Sequence, residues 1–284
     1  MFSGMSIELG KTNRLTVVKE VDFGMYLDGG DDGEILLPRR YVPSGCKPGD
    51  ELDVFIYLDN EERLVATTLR PAAEVGGMAG MRVAWTNRYG AFMDWGLMKD
   101  LFVPFREQEV RMQVGEVYVV HVHLDPDSFR IVGSSRLERW LSPARPDLRP
   151  GEEVEALVWR RTPLGWLCVV DGAHQGMVYA NESFGHEMRP GLSLRTYVKQ
   201  VRNDGKVDLS LHRSGRDGVD DVARLLMDYL HEHGGRTRLC DHSPAEEIYR
   251  ELGVSKKQFK KAVGELYSRR MIVVEEGGIF LNGQ

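Results

Sequence analysis

The stretch TNRYGAFMDWG, Thr86–Gly96, decides the fold, because the chain contains a second version of it. Set against VDFGMYLDGG, Val21–Gly30, it pairs Phe23 with Tyr89, Gly24 with Gly90 and Tyr26 with Phe92, always 66 residues apart. Pro38 and Pro104, Gly49 and Gly115, and Asp59 and Asp125 extend the match at the same offset of 66. Six landmarks of compatible type at one spacing mark an internal repeat, the feature to look for before any other. A weaker third copy follows: Gly90 to Gly165 is 75 residues, Gly115 to Gly191 is 76 and Ser135 to Ser210 is 75.

Each copy reads as five short strands. In the first they are Leu15–Val21, Phe23–Leu27, Glu34–Pro38, Leu52–Leu58 and Arg63–Leu69, with turns at Pro48–Gly49 and Asp59–Glu62. Short apolar, β-branched runs punctuated by Gly, Pro and Asp indicate an all-β unit. Five strands in so few residues suit a small closed barrel of OB type, which leaves no edge exposed. The predicted barrels span residues 5–71, 75–141 and 150–214. Their boundaries fall in the Gly-, Pro- and Ala-rich stretches Pro71–Gly80 and Ser142–Gly151. Residues 1–4, ahead of a second methionine at Met5, are left out of this reading.

From Asp217 the apolar period changes from two to about 3.6. Val222, Leu225, Leu226, Tyr229 and Leu230 mark one face of a helix ending at Gly234–Gly235. Ser243-Pro244-Ala245-Glu246-Glu247 reads as an N-cap, a first-turn proline and a capping-box acid, opening a helix that runs to Leu252–Gly253. Ser255 caps a third helix striped by Phe259, Val263, Leu266 and Tyr267, and MIVVEEGGIFL, Met271–Leu281, forms a hairpin turning at Glu276–Gly278. Three helices and a hairpin predict a winged helix-turn-helix over residues 217–284. The expected fold class is mainly β, three tandem five-stranded OB-type barrels followed by an α+β domain.

Composition is that of a folded globular protein: 284 residues, 42% hydrophobic and 28% charged. No apolar run approaches a membrane span. The first ten residues lack the basic-then-apolar plan of a secretory signal. Three scattered cysteines, Cys46, Cys168 and Cys240, form no CxxC motif and suit a reducing cytoplasm rather than a disulfide framework. The net charge of −6 argues against nucleic acid only if it is uniform. It is not: residues 1–71 carry 8 basic and 13 acidic side chains, whereas Arg195–Arg216 carries six basic and two acidic, and Ser255–Arg270 six basic and one acidic.

The blocks YGAFMDWG, DLFVPF, VGEVYVVHVHLD and RIVGSS resemble the S1 RNA-binding domain. That resemblance implies one nucleic-acid face per barrel, made of two aromatics flanking a Gly-small pair, a His or aromatic on the next strand, and an Asp and an Arg bracketing the last turn. Carried over, the first copy offers Phe23, Tyr26, Asp59 and Arg63, with Leu37 in the His position. The second offers Tyr89, Phe92 and Asp125, with Val103 in the His position and one inserted residue before Arg130. The third offers Tyr179 in the His position and Lys206 for the Arg, with Leu164 and Leu167 for the aromatics and Arg202 for the Asp. Exposed rings beside basic groups are stacking platforms for single strands, and the same rings also suit a barrel core. The whole order of parts, with SKKQFKKAVGELYSRRMI (Ser255–Ile272), is similar to the YitL/CvfB (conserved virulence factor B) family. This similarity implies a bacterial cytoplasmic RNA-binding regulator of gene expression.

Lys256, Lys257, Lys260 and Lys261, at i and i+4 spacing on the third helix, together with Arg269 and Arg270, are expected to meet phosphates. They act with Tyr179, Arg202 and Lys206 of the third barrel in the favoured reading, single-stranded RNA binding chiefly through the C-terminal half. A DNA-binding regulator using the winged helix and a scaffold docking a protein on the acidic first barrel are the rival readings. No Walker A, HExxH or nucleophile-elbow motif occurs, so no enzyme and no cofactor are expected. Gly77–Gly80 reads as a turn. His231, His233, Cys240 and His242 match no standard zinc spacing, and His121 and His123 read as one face of a barrel surface.

Overall fold

The protein is described by a computed structural model covering residues 7–183, 187–211 and 216–282. Alternating apolar residues form the strands of three closed barrels. The first contains β1 (Thr12–Val21), β2 (Gly24–Asp28), β3 (Glu34–Pro38), β4 (Glu51–Leu58) and β5 (Leu64–Thr67). The second contains β6 (Met78–Thr86), β7 (Gly90–Asp94), β8 (Leu101–Pro104), β9 (Val117–Leu124) and β10 (Ile131–Ser134). The third contains β11 (Glu153–Thr162), β12 (Gly165–Val170), β13 (His174–Tyr179), the short α1 (Ala180–Ser183), β14 (Ser193–Val201) and β15 (Val207–Ser210). In all three the hydrogen-bonded order is first, second, third, fifth, fourth, closing back on the first, with the third and fifth strands parallel.

The repeat extends to backbone irregularities. The first strand of every barrel bulges at the same point, with Val18, Ala84 or Trp159 as the extra residue. The glycine that opens each second strand has no room for a side chain. A Cβ on Gly24, Gly90 or Gly165 would lie 2.2, 2.3 or 2.2 Å from the carbonyl oxygen of Leu37, Val103 or Val178. The turn before each last strand closes identically: Asp59, Asp125 and Arg202 donate their N–H groups to the carbonyls of Arg63, Arg130 and Lys206. The residue inserted in the second barrel coincides with Phe129 at φ 56°, a conformation that a bulky side chain rarely adopts.

The chain divides into two compact units at Trp140/Leu141. In the first, barrels one and two share apolar packing: Phe55, Tyr57 and Val65 of the first join Met93, Leu101 and Val122 of the second. The Phe55 ring meets Trp95 edge-on at 5.7 Å. Lys99 donates to the carbonyls of Leu58 (2.9 Å) and Asp59 (2.7 Å), and Arg130 pairs with Glu62. The β6 strand begins at Met78, whose partner is His121, so Gly77–Gly80 is the entry to a strand rather than the turn expected.

In the second unit the C-terminal region contains α2 (Arg216–Glu232), β16 (Arg236–Thr237), α3 (Ala245–Leu252), α4 (Lys256–Ser268), β17 (Ile272–Glu275) and β18 (Gly278–Leu281). Leu226, Leu230, Ile248, Phe259, Leu266 and Ile279 form its core. The hairpin turns at Glu276–Gly277 as expected, and β16 adds a third strand in the order β16-β18-β17. Ser255 caps α4 in a full capping box with Gln258. Ser243 does not cap α3. Its hydroxyl accepts the N–H of Cys240 (3.1 Å), closing the preceding turn, and α3 begins behind Pro244 with no side-chain cap. Residues 212–215, which include the expected end of the third barrel at 214, lie outside the described ones.

Candidate nucleic-acid interface

Strand register assigns equivalent positions on the outer face of the barrels. Lys19, Tyr26, Leu36 and Val65 are successive cross-strand neighbours in the first. Trp85, Phe92, Phe102 and Val132 occupy these positions in the second. Arg160, Leu167, Met177 and Asp208 occupy them in the third.

In the second barrel this row is an aromatic stack. The Trp85 indole lies 3.7 Å from the Phe92 ring at an interplanar angle of 2°, and Phe92 is 4.9 Å from Phe102. Trp85 remains 45% exposed, and its indole N–H donates to Asp100 (2.8 Å), fixing the ring. Tyr89, 57% exposed, stands beside the stack with the Arg88 guanidinium 4.8 Å from its ring centre. Trp85 and Phe102 are not among the sequence-predicted residues. Strand alternation was the available signal, since Phe102 lies between the inward-facing Leu101 and Val103.

The first barrel has a smaller version. Phe23 is exposed and edge-on to Tyr26 at 6.3 Å, while Lys19 covers the Tyr26 ring at 4.9 Å. Arg63 is held by Asp59 (2.8 Å) and Glu61 (2.9 Å).

The third barrel carries hydrogen-bonding groups at these positions. Leu167 is buried, and Asp208, also buried, accepts from Tyr179 Oη (3.1 Å) and Gln200 Nε2 (2.6 Å). Much of its basic run is neutralised: Arg195 pairs with Glu153, Lys199 with Glu182 and Arg202 with Asp204. Lys206 is exposed, with no ion pair among the described residues. The side chains of Arg213 and Arg216 lie outside those described.

The assigned His position requires correction in two barrels. Leu37 and Val103 are fully buried in their cores. Register makes Pro38 and Pro104, each opposite the strand-opening glycine, the equivalents of Tyr179 opposite Gly165. A one-residue shift on a strand exchanges the two faces.

On α4 the four lysines form two rows. Lys256 donates to the Ser243 carbonyl (2.8 Å) and Lys260 pairs with Asp241 (3.6 Å), both directed at the turn before α3. Lys257 and Lys261 face solvent with no carboxylate partner among the described residues. Arg269 pairs with Glu265, and Arg270 is exposed at φ 56°.

His121 and His123 are buried, not a barrel surface: both rings lie beneath Trp140, at 4.0 and 4.6 Å. Burial, with the neighbouring His123 charge, pushes the His121 pKa down to about 4 against the pull of a backbone hydrogen bond at Gly76. Burial also lowers His123.

Residues 9–69 match the S1 domain model, and residues 224–281 match the CvfB-like winged helix domain. The first barrel and the C-terminal region are therefore domains of nucleic-acid-binding type, neither of them an enzymatic family. It is homologous to YitL of Bacillus subtilis strain 168, 27% identical over 281 residues, covering 96% of this chain and 93% of that one. Conserved virulence factor B of Staphylococcus aureus strain USA300 is 27% identical over 240 residues, covering 82% and 80%. A solved multidomain protein with nucleic acid binding domains from Streptococcus pneumoniae TIGR4 is 25% identical, covering 96% and 98%, at a TM-score of 0.44.

Proposed function

We propose that this protein is a non-enzymatic cytoplasmic regulator that binds single-stranded RNA and acts on gene expression after transcription. The observation that carries the reading is the coplanar Trp85–Phe92 stack, half open to solvent beside Tyr89 and Arg88. Such a platform accepts an unstacked base of any sequence, which a duplex does not present. The Phe23–Tyr26 pair offers a second, weaker platform. In the other unit, Tyr179, Lys206, Lys257, Lys261 and Arg270 supply polar and phosphate contacts. Joining several weak sites in one chain raises the effective concentration at each.

The test is fluorescence anisotropy with a single-stranded RNA, the same sequence as single-stranded DNA, and duplex DNA, each at several salt concentrations. Single-stranded RNA is expected to bind tightest. Preferential binding to one duplex sequence replaces this reading with that of a DNA regulator.

A further inference from the structure

The second barrel's stack does not stand on an open surface. It lines a cleft of about 830 Å³, part of whose wall is Tyr57, Asn60 and Glu62 of the first barrel. That wall is held in place. Phe55 and Val65 are buried in the packing shared with the second barrel, and Lys99 ties down the carbonyls of Leu58 and Asp59. Arg130, on the second barrel's rim, pairs with Glu62. The turn is also rigid internally, since the Asp59 carboxylate accepts the N–H groups of Glu61 (2.8 Å) and Arg63 (3.0 Å) and grips the Arg63 guanidinium. Asn60, between these fixed points, is exposed and its amide makes no hydrogen bond among the described residues.

We propose that this cleft receives one unstacked base of a single-stranded RNA, an adenine, stacked on the Trp85 indole and read at its edge by the Asn60 amide. This rests on the RNA-binding reading above and gives the first barrel a role in it, that of the wall of its neighbour's site. The chemistry fits in three ways. An indole covered on one side by Phe92 and anchored through Asp100 is a prepared surface for a second planar ring. An amide presents a donor and an acceptor side by side, which match the N6 and N7 edge of adenine. The Arg88 guanidinium, beside Tyr89 at the rim, provides charge for a flanking phosphate.

The experiment uses the full chain and short oligoribonucleotides. Anisotropy reports binding of oligo(A), oligo(C) and oligo(U), and quenching of a single 8-vinyladenine, a fluorescent base that keeps the 6-amino group and N7, in an oligo(A) strand reports stacking. The parent is expected to favour oligo(A) and to quench the probe. Trp85→Ala should abolish quenching and weaken oligo(A) about tenfold, whereas Trp85→Phe should retain part of both. Asn60→Ala, at an exposed turn, should erase most of the oligo(A) preference, read as the ratio of oligo(A) to oligo(U) affinity. If RNA binds but neither variant alters quenching or base preference, the cleft assignment is overturned while RNA binding stands. Adenosine monophosphate competing as well as the strand overturns the assignment to a strand. Failure of the parent to bind any oligonucleotide overturns the RNA reading itself.

Discussion

The second and third barrels share strand order, bulge, strand-opening glycine and turn closure, yet their outer faces hold different chemistry. At matched register positions one presents Trp85, Phe92, Phe102 and Val132, and the other Arg160, Leu167, Met177 and Asp208. The scaffold constrains backbone geometry and the inward side chains. The outward ones are free to specialise, because a closed barrel needs only one face packed. The same fold thus supports a stacking surface in one copy and an internally hydrogen-bonded Tyr179–Asp208–Gln200 cluster in another. Charge counted along the chain favours the third barrel, but three of its basic groups already have acidic partners on the same barrel.

The largest expected difference between the two copies is their response to acid. His121 and His123 are buried beneath Trp140 on β9. Where His123 faces Val132 across the strands, the third barrel has Gln200 facing Asp208. A histidine whose folded pKa is depressed binds its proton more readily in the unfolded chain. The stability it confers is complete above the ordinary value of 6.5 and is lost as pH falls toward about 4. That span corresponds to roughly 3 kcal/mol. Urea unfolding of the parent and of His121→Phe at pH 7.5 and 4.5 measures it. The variant should lose markedly less stability over this interval. Equal losses would show that the pair does not make the first unit acid-sensitive.

Exchanging a residue between the faces tests the comparison more directly. Phe92→Leu gives the second barrel the side chain that the third has at Leu167. It should weaken single-stranded RNA binding, by less than the roughly 1–3 kcal/mol of one stacked base, since Phe92 backs the Trp85 indole. Leu167→Ala should cost less binding, whatever it costs in stability, since Leu167 is buried and carries no ring. Titration of both variants with the same oligonucleotide decides the matter. A larger loss at Leu167 would restore the third barrel as the principal site.

Much of this architecture was legible in the sequence because repetition and alternation are local. Gly24, Gly90 and Gly165 recur wherever a neighbouring carbonyl leaves no room for a Cβ, so their spacing marks the barrels. The Asp59–Arg63 closure and the insertion at Phe129 are equally visible, since hairpin turns depend on nearby residues. The site was less legible because it depends on pairings across the fold. Trp85 meets Phe92 only through a bulged register, and Asn60 lines the same cleft only because its barrel packs against the second. The His position was misplaced by one residue at Leu37 and Val103, where a short apolar run gave no sign of which side chain faced outward. Ser243 satisfied the local rule for a helix cap, but its hydroxyl closes the Cys240 turn.

The winged helix offers the finest distinction, between lysines that share a helix but not a role. Lys256 and Lys260 are directed at the Ser243 carbonyl and Asp241, so their charge is partly spent within the domain. Lys257 and Lys261 face solvent one helical turn apart, available to neutralise phosphates. If both release counterions from a single strand, replacing them by Ala should flatten the slope of log affinity against log salt by about 1.4, at roughly 0.7 per phosphate contact. Lys256→Ala with Lys260→Ala should change that slope less and should lower the thermal stability of the domain instead, since it removes contacts that brace α4 against the turn before α3. The two double variants, followed by RNA titration across salt and by thermal unfolding, separate electrostatic binding from structural support. A slope change of equal size in both pairs would mean that the internal contacts of Lys256 and Lys260 yield to RNA, and that all four lysines act as one phosphate-binding surface.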